Sequence, residues 1–287
     1  MKAAPFELAV PASLEEALEL LERHGEGAKV IAGGQSLMPL LALRFAQPEV
    51  LVDLNRIGGL AGVRRLDDGG VAIGAMTRTR TLEDDPTIAA LVPLAAQAAP
   101  LIAHRAIRNR GTVGGAIAHA DAAAELPAVM LASGATMVAA SAAGRREIPA
   151  ADFFLTHYTT ALEPTEILVE LRVPPLPAGA KTSFQEISRR HGDFAMAGAA
   201  AMVELDGGRV RSARVAVFGV ADRALAIDTA PLLDRVPQRD ALEEFATAAV
   251  APLDPSSDQH ASAEYRRHLA AVLVRRTLEE ASAAAAA

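Results

Sequence analysis

Residues 29–57 are KVIAGGQSLMPLLALRFAQPEVLVDLNRI, and they predict a strand, a glycine turn, helical turns and a second strand in succession. The short apolar run at 29–32 predicts a buried strand, and Gly33 and Gly34 predict a tight turn directly after it. Helical turns are expected over 35–43. Because glycines have no side chains, such a turn leaves its backbone amides accessible to an anion such as a pyrophosphate. An ordinary tight turn is the alternative interpretation.

Several further elements are expected before residue 175. Ser13 can cap a helix and Glu16 follows three residues later, which predicts a helix that ends near Gly25. Pro86 and Pro93 should break a helical region over 82–103. Another helix is predicted over 122–131, and additional strands over 50–54, 71–75, 136–140 and 167–173.

The proline-rich stretch VPPLPAG at 173–179 cannot continue a strand or a helix, since its three prolines lack backbone donors. It predicts a boundary between a domain over 1–175 and a second domain over 180–287. The second domain should hold a small antiparallel sheet with a hairpin turn at 206–208, followed by helices over 241–249 and 261–281. The alanine-rich residues 282–287 are expected to form an unstructured tail. The pattern as a whole predicts an α+β fold.

Composition excludes several kinds of protein. The chain has 287 residues, of which 51% are hydrophobic and 22% charged, and its net charge of -7 disfavours binding to nucleic acid. It has no cysteine, so it cannot hold an iron–sulfur cluster on thiolates or form a disulfide. Any redox chemistry therefore needs an organic cofactor. The first twenty residues do not resemble a secretory signal, and no apolar stretch is long enough to be an integral membrane segment, which predicts a cytoplasmic protein.

A second glycine-rich turn is predicted at 109–115, NRGTVGG, where the Thr112 hydroxyl is placed to donate to a phosphate oxygen. Two such turns about 80 residues apart are expected if both clamp one elongated dinucleotide. Neither turn matches the dinucleotide pattern G-x-G-x-x-G or the P-loop pattern. Taken singly, each is more simply explained as a turn.

Two polar clusters are further candidates. Asp121 and Glu125 are four residues apart, so they would share a face of any helix that starts there, and their carboxylates could accept hydrogen bonds from ribityl or ribose hydroxyls. The simpler interpretation is that Asp121 caps the helix and Glu125 is a solvated acid in its first turn. The cluster SRRHGDFA at 188–195 is either a solvated turn or a loop that faces a flavin ring through Phe194.

Three segments together resemble the medium subunits of molybdenum hydroxylases, the family that includes the carbon monoxide dehydrogenase medium subunit and the FAD domain of xanthine dehydrogenase. They are AGGQSLMPLLALRFAQPEVLVDLNRI at 32–57, IRNRGTVGGAIAHADAAAELPA at 107–128 and SRRHGDFAMAG at 188–198. The resemblance implies a two-part FAD-binding domain of the vanillyl-alcohol-oxidase (PCMH) type. It also implies a smaller second domain with a three-stranded antiparallel sheet and a helical bundle.

The same resemblance implies which residues bind FAD. Leu168 would pack near the isoalloxazine, while Asp121 and Glu125 would lie near the polar linker of the cofactor. No residue of this chain is expected to be catalytic or to bind a metal. The residues implied to bind the cofactor are Lys29, Val30, Ile31, Ala32, Gly33, Gly34, Gln35, Ser36, Ile102, Gly111, Thr112, Gly114, Gly115, Ala116, Asp121, Glu125 and Leu168.

In the family scheme, a large subunit with a molybdopterin centre hydroxylates the substrate and a small subunit relays the electrons through two [2Fe-2S] clusters. The FAD of the medium subunit passes these electrons to an external acceptor, and the complex is a dimer of heterotrimers. Two alternatives stay open: a stand-alone FAD-dependent oxidoreductase of the same fold, and a non-catalytic assembly module. The sequence names neither the substrate nor the acceptor.

Overall fold

A computed structural model describes residues 2–286, with side chains described up to Ala285. It has an α+β architecture built on three main sheets. The first sheet is parallel, with the order β1-β3-β2. Its strands and the two helices that accompany it are β1 (Glu7–Ala9), α1 (Leu14–His24), β2 (Ala28–Ile31), α2 (Leu37–Leu43) and β3 (Val50–Asp53).

Local signals at α1 agree with the predicted helix. The Ser13 hydroxyl accepts a hydrogen bond from the Glu16 amide at 3.2 Å, and the Glu16 carboxylate accepts one from the Ala12 amide at 2.7 Å. Gly25 ends the helix with a φ of 51°, a left-handed value that favours glycine. The predicted helix, the strand after it and the helical turns before residue 43 are all confirmed.

The second sheet is antiparallel and has the order β4-β5-β10-β6-β7. Its strands are β4 (Val63–Arg65), β5 (Val71–Gly74), β6 (Thr136–Ser141), β7 (Gly144–Pro149) and β10 (Ile167–Val173). The shorter elements of this part are α3 (Thr79–Asp84), α4 (Pro86–Leu91), α5 (Pro93–Ala98), α6 (Arg105–Arg108), α7 (Val113–His119), α8 (Glu125–Ser133), α9 (Ala150–Phe153), β8 (Phe154–Thr156) and β9 (Thr159–Thr160).

Two predicted boundaries in this part are wrong. The second glycine turn is shorter than 109–115, because α7 begins at Val113 and takes Gly114 and Gly115 into its first turn. The helix predicted over 122–131 begins only at Glu125, because Asp121 forms a local turn by accepting the Ala123 amide at 2.9 Å.

The third sheet is antiparallel with the order β11-β12-β13-β14; a long helix packs against it, and a second helix packs against that one. These elements are β11 (Lys181–Ser188), β12 (Ala195–Asp206), β13 (Arg209–Phe218), β14 (Leu225–Ile227), α10 (Arg239–Val250) and α11 (Ala263–Ala286). The resemblance implied three strands. The fourth, β14, has only three residues and pairs with part of β13, so it has too little sequence pattern to predict.

The alanine-rich C-terminal residues are helical, which corrects the predicted tail at 282–287. Helix α11 continues to Ala286, and both Ala281 and Ser282 are buried, because this end of the helix lies on the third sheet. Ala287 lies outside the described residues.

One hydrophobic core joins the parts before and after the proline-rich stretch. Leu126 and Met130 of α8 belong to the same buried cluster as Phe184 of β11 and Phe218 of β13. The two phenylalanine rings stack at 5.5 Å between centroids. Helix α8 therefore packs against β12 and β13 of the third sheet. Within residues 2–286, no helix is long and apolar enough to cross a membrane.

Candidate functional site

The two glycine turns, far apart in sequence, touch each other. A Cβ atom added to Gly33 would lie 2.4 Å from the Arg110 carbonyl oxygen and 2.7 Å from the Gly111 Cα, so only glycine fits at this contact. Gly34 has a φ of 72°, which also favours glycine. The structure thus brings together the two turns that the sequence predicted to act as one site.

The first turn presents free backbone amides. Among the described residues, none accepts a hydrogen bond from the amides of Gly33, Gly34, Gln35 or Ser36. The Gln35 side chain donates to the Gly33 carbonyl oxygen at 2.9 Å, which stabilises the turn. Consecutive free amides in a turn with a left-handed residue form a concavity that binds anions. These four amides fit a pyrophosphate.

The second turn mainly supports the first. The amides of Val113 and Gly114 donate to the carbonyl oxygens of Thr77 and Ala75, at 2.9 and 2.8 Å. The Thr112 hydroxyl accepts the Gly115 amide at 3.1 Å, and Thr112 is buried. This hydroxyl caps helix α7 from within the protein, and its predicted contact with a phosphate oxygen stays a prediction, because a hydroxyl that accepts one hydrogen bond can still donate another.

Two residues that the sequence analysis missed bridge the turns. The Asn55 side-chain amide donates to the Ala32 carbonyl oxygen at 2.8 Å. Arg78 donates to the Asn55 side-chain oxygen at 2.8 Å and to the Arg110 carbonyl oxygen at 2.7 Å. This Asn55–Arg78 bridge holds the backbones of the two turns together. No local signal marks it, because its contacts cross 23 and 32 residues of sequence.

The other predicted residues are distributed around these turns. Lys29 and Ser36 are exposed, whereas Val30, Ile31 and Ala32 are half-buried along β2 and its end. Gly111, Gly115 and Ala116 are also half-buried. Leu168 is a core residue of β10 with 5% exposure, and it belongs to the same buried cluster as Val113 and Ile117 of α7.

Asp121 lies in a polar cluster after α7. Its carboxylate accepts the Tyr158 hydroxyl at 3.3 Å, and the Tyr158 ring lies 4.8 Å from the His119 ring. Burial lowers the pKa of His119, although the Asp121 charge acts in the opposite direction. Glu125 is 6% exposed, which excludes the simpler interpretation of a solvated acid. Asp121 is not the cap of α8 either, since Ala124 holds that position.

Ile102 lies in a loop that a buried arginine holds. Arg108 donates to the carbonyl oxygens of Ile102 and Ala103 at 3.0 Å each, and to that of Pro100 at 3.4 Å. The same guanidinium donates to Glu83 at 3.0 Å. The 188–195 cluster packs closely against this loop at Gly192. A Cβ atom added to Gly192 would lie 2.8 Å from the His104 ring. Phe194, in that cluster, is 67% exposed.

Comparison with known proteins identifies the family. Residues 4–176 match the FAD-binding domain in molybdopterin dehydrogenases, and residues 182–281 match the C-terminal domain of the CO dehydrogenase flavoprotein. The chain belongs to this flavoprotein family. Because the family's domain binds FAD, the free amides of residues 33–36 fit the pyrophosphate of this cofactor.

Known relatives and a solved structure match this chain over nearly its whole length. The alpha subunit of the 6-hydroxypseudooxynicotine dehydrogenase complex of Paenarthrobacter nicotinovorans is 45% identical, covering 98% of this chain and 96% of that subunit. The carbon monoxide dehydrogenase medium chain of Hydrogenophaga pseudoflava is 41% identical, covering 96% of each chain. A solved structure of carbon monoxide dehydrogenase from that organism matches with a TM-score of 0.96, 42% identity and 99% coverage of both chains.

Removing the Asn55–Arg78 bridge is expected to weaken FAD binding. Asn55→Ala removes two hydrogen bonds: the one that Asn55 donates to the Ala32 carbonyl oxygen and the one that Asn55 accepts from Arg78. Without them the two turns can separate. We expect about a tenfold loss of affinity, because one hydrogen bond to a charged group contributes roughly 1.5–3 kcal/mol. Titration of the apoprotein with FAD measures this loss of affinity. The control is Gln47→Ala, which removes an exposed amide bonded to the Arg44 carbonyl oxygen; equal losses in both variants would contradict the role of the bridge.

Proposed function

We propose that this chain is the FAD-carrying medium subunit of a molybdenum hydroxylase complex. It passes electrons from the [2Fe-2S] clusters of a small subunit, through FAD, to an external acceptor. A large molybdopterin-binding subunit hydroxylates the substrate, and the assembly is a cytoplasmic dimer of heterotrimers. The match to medium chains along nearly the whole length of this chain carries the proposal.

The residues of this chain divide the work of holding the cofactor. The amides of Gly33, Gly34, Gln35 and Ser36 bind the pyrophosphate, and the second turn holds them in place through its contact with Gly33. The remaining predicted residues, among them Ile102, Asp121, Glu125 and Leu168, bind other parts of FAD. The bound FAD supplies the redox chemistry, because no side chain of this protein can accept electrons in that way.

The absence of cysteine supports a division of labour between chains. An iron–sulfur cluster held by thiolates must lie on another chain, and no group of three or more His, Cys, Asp or Glu residues within 2–286 is arranged to hold a metal. We further propose that 1–175 forms the two-part domain of the vanillyl-alcohol-oxidase type and that 180–287 forms the second domain. The proline-rich stretch at 173–179 connects the two units along the chain.

Purification from the native host, followed by a visible spectrum and identification of the copurifying chains, tests this function. Non-covalent FAD, a cysteine-rich small chain and a large molybdopterin-containing chain are expected together. FAD on a lone chain that a substrate reduces directly would establish the stand-alone oxidoreductase instead. A chain that binds no FAD, in the complex or when reconstituted, would leave only the assembly module.

A further inference from the structure

Tyr158 is an exposed aromatic residue on a strained backbone. It lies in the turn between β8 and β9, its φ is 53°, and 58% of its surface is exposed. A φ in the left-handed region is an outlier for a bulky residue. Such strain persists only where the surrounding structure holds it, and it clusters at functional sites. A functional reason for this conformation is therefore expected.

Two contacts hold this turn in place. The Tyr158 amide donates to the Ala120 carbonyl oxygen at 3.2 Å, and Ala120, directly after α7, is itself left-handed with a φ of 50°. On the same hairpin, the Thr156 hydroxyl donates to the carboxylate of Asp222, between β13 and β14, at 2.9 Å. Both contacts are made without the Tyr158 side chain. The position of the turn therefore does not depend on the phenol ring.

The Tyr158 side chain forms a cluster with His119 and Asp121. The Tyr158 and His119 rings lie 4.8 Å apart between centroids, and the Tyr158 hydroxyl donates to Asp121 Oδ2 at 3.3 Å. Asp121 Oδ1 accepts the Ala123 amide, and since a carboxylate has about four acceptor positions, Asp121 can accept further hydrogen bonds. Burial lowers the pKa of His119, so its ring is neutral at neutral pH. The cluster thus offers a planar aromatic face beside a carboxylate.

The cluster lies one helical turn beyond a contact between the two glycine turns. A Cβ atom added to Gly115 would lie 3.5 Å from the Ala32 Cβ atom, so this face of α7 meets the residue directly before Gly33. His119 follows Gly115 by four residues and lies on the same face, about 6 Å further along the helix. The Tyr158 ring is therefore within reach of a dinucleotide whose pyrophosphate sits on the free amides of residues 33–36.

We propose that Tyr158, His119 and Asp121 form a subsite for one of the two ring-and-polyol halves of FAD. The exposed phenol ring of Tyr158 stacks on the planar ring of the ligand, and Asp121 accepts hydrogen bonds from the hydroxyls next to that ring. Adenine with its ribose and isoalloxazine with its ribityl chain share this chemistry. This role rests on the function proposed above, and it makes Tyr158 a residue that contacts the cofactor.

Calorimetric titration of the full apoprotein with FAD, ADP and FMN tests the subsite. ADP carries only the adenosine half of FAD, and FMN carries only the riboflavin half. Tyr158→Ala should bind FAD about 5- to 100-fold more weakly, because stacking of a base on an aromatic side chain contributes on this scale. It should lose the same factor with either ADP or FMN, and the ligand that loses affinity identifies the half. Tyr158→Phe keeps the ring and should keep most of the affinity.

The other tyrosine of the chain provides the matched control. Tyr265 is 46% exposed on α11, and Tyr265→Ala should bind all three ligands as the wild type does. Tyr158→Asn should lose the same affinity as Tyr158→Ala, and because asparagine adopts the left-handed backbone readily, this variant keeps the turn. Wild-type affinities in both Tyr158 variants would overturn the subsite. So would an equal loss with ADP and with FMN, which would indicate a disturbed phosphate turn.

The outcomes separate the subsite from the proposed function. If the wild type binds ADP or FMN but not FAD, and Tyr158→Ala weakens that binding, the proposed function fails and the subsite stands. If the wild type and Tyr158→Ala bind FAD equally well, the function stands and the subsite is wrong. If the wild type binds none of the three ligands, both are wrong.

Discussion

Gly33→Ala should weaken FAD binding by about 5- to 150-fold, since forcing an extra carbon into a packed site costs roughly 1–3 kcal/mol. The new Cβ atom would lie 2.4 Å from the Arg110 carbonyl oxygen, which also accepts a hydrogen bond from Arg78. The backbones of the two turns must therefore move apart, and the four free amides lose their arrangement. FAD titration of the purified apoprotein, followed by flavin fluorescence, measures the effect.

Gly58→Ala is the matched control for this substitution. A Cβ atom on Gly58 meets nothing within 4 Å, and its backbone does not need a left-handed conformation. We expect Gly58→Ala to bind FAD as the wild type does, and the circular dichroism of both variants to remain that of a folded protein. Equal affinities for the two alanine variants would show that the contact between the turns does not organise the site.

Replacing Arg108 with methionine should lower the free energy of unfolding by about 3 kcal/mol or more. Arg108 is buried and donates to three carbonyl oxygens of the 100–103 loop as well as to Glu83, and hydrogen bonds to a charged group contribute roughly 1.5–3 kcal/mol each. The loop includes Ala103, whose φ of 46° is strained for a residue with a side chain. Without the guanidinium the loop can relax, and Ile102 loses its position. Urea denaturation measures the change.

Arg105→Met controls for the loss of a positive charge on the same short helix. Arg105 is exposed, so this variant should change the unfolding free energy by less than about 0.5 kcal/mol. If FAD affinity also falls in Arg108→Met but not in Arg105→Met, the loop contributes to the cofactor site. A stability loss shared equally by both variants would point to net charge rather than to the buried hydrogen bonds.

Several elements could be predicted because their signals lie within a few residues. Ser13 with Glu16 starts a helix, Pro86 and Pro93 are each the first residue of a new short helix, and Asp206 precedes the glycines of a hairpin. In each case a cap, a missing donor or a left-handed turn acts on neighbouring residues alone. The predicted start of α8 was wrong because a competing local hydrogen bond shifts this boundary. The turn formed by Asp121 makes α8 begin at Glu125.

The family follows from three sequence segments, and the two glycine turns and the order of most elements follow from local patterns, because glycine, proline and apolar periodicity constrain the backbone locally. Which amides stay free depends on tertiary packing: those of Val113 and Gly114 donate to distant carbonyl oxygens, whereas those of Gly33 to Ser36 find no acceptor within residues 2–286. The bridge between the turns made by Asn55 and Arg78 is likewise a property of the folded chain. Such long-range contacts depend on how the sheets and helices pack, which no short stretch of sequence encodes.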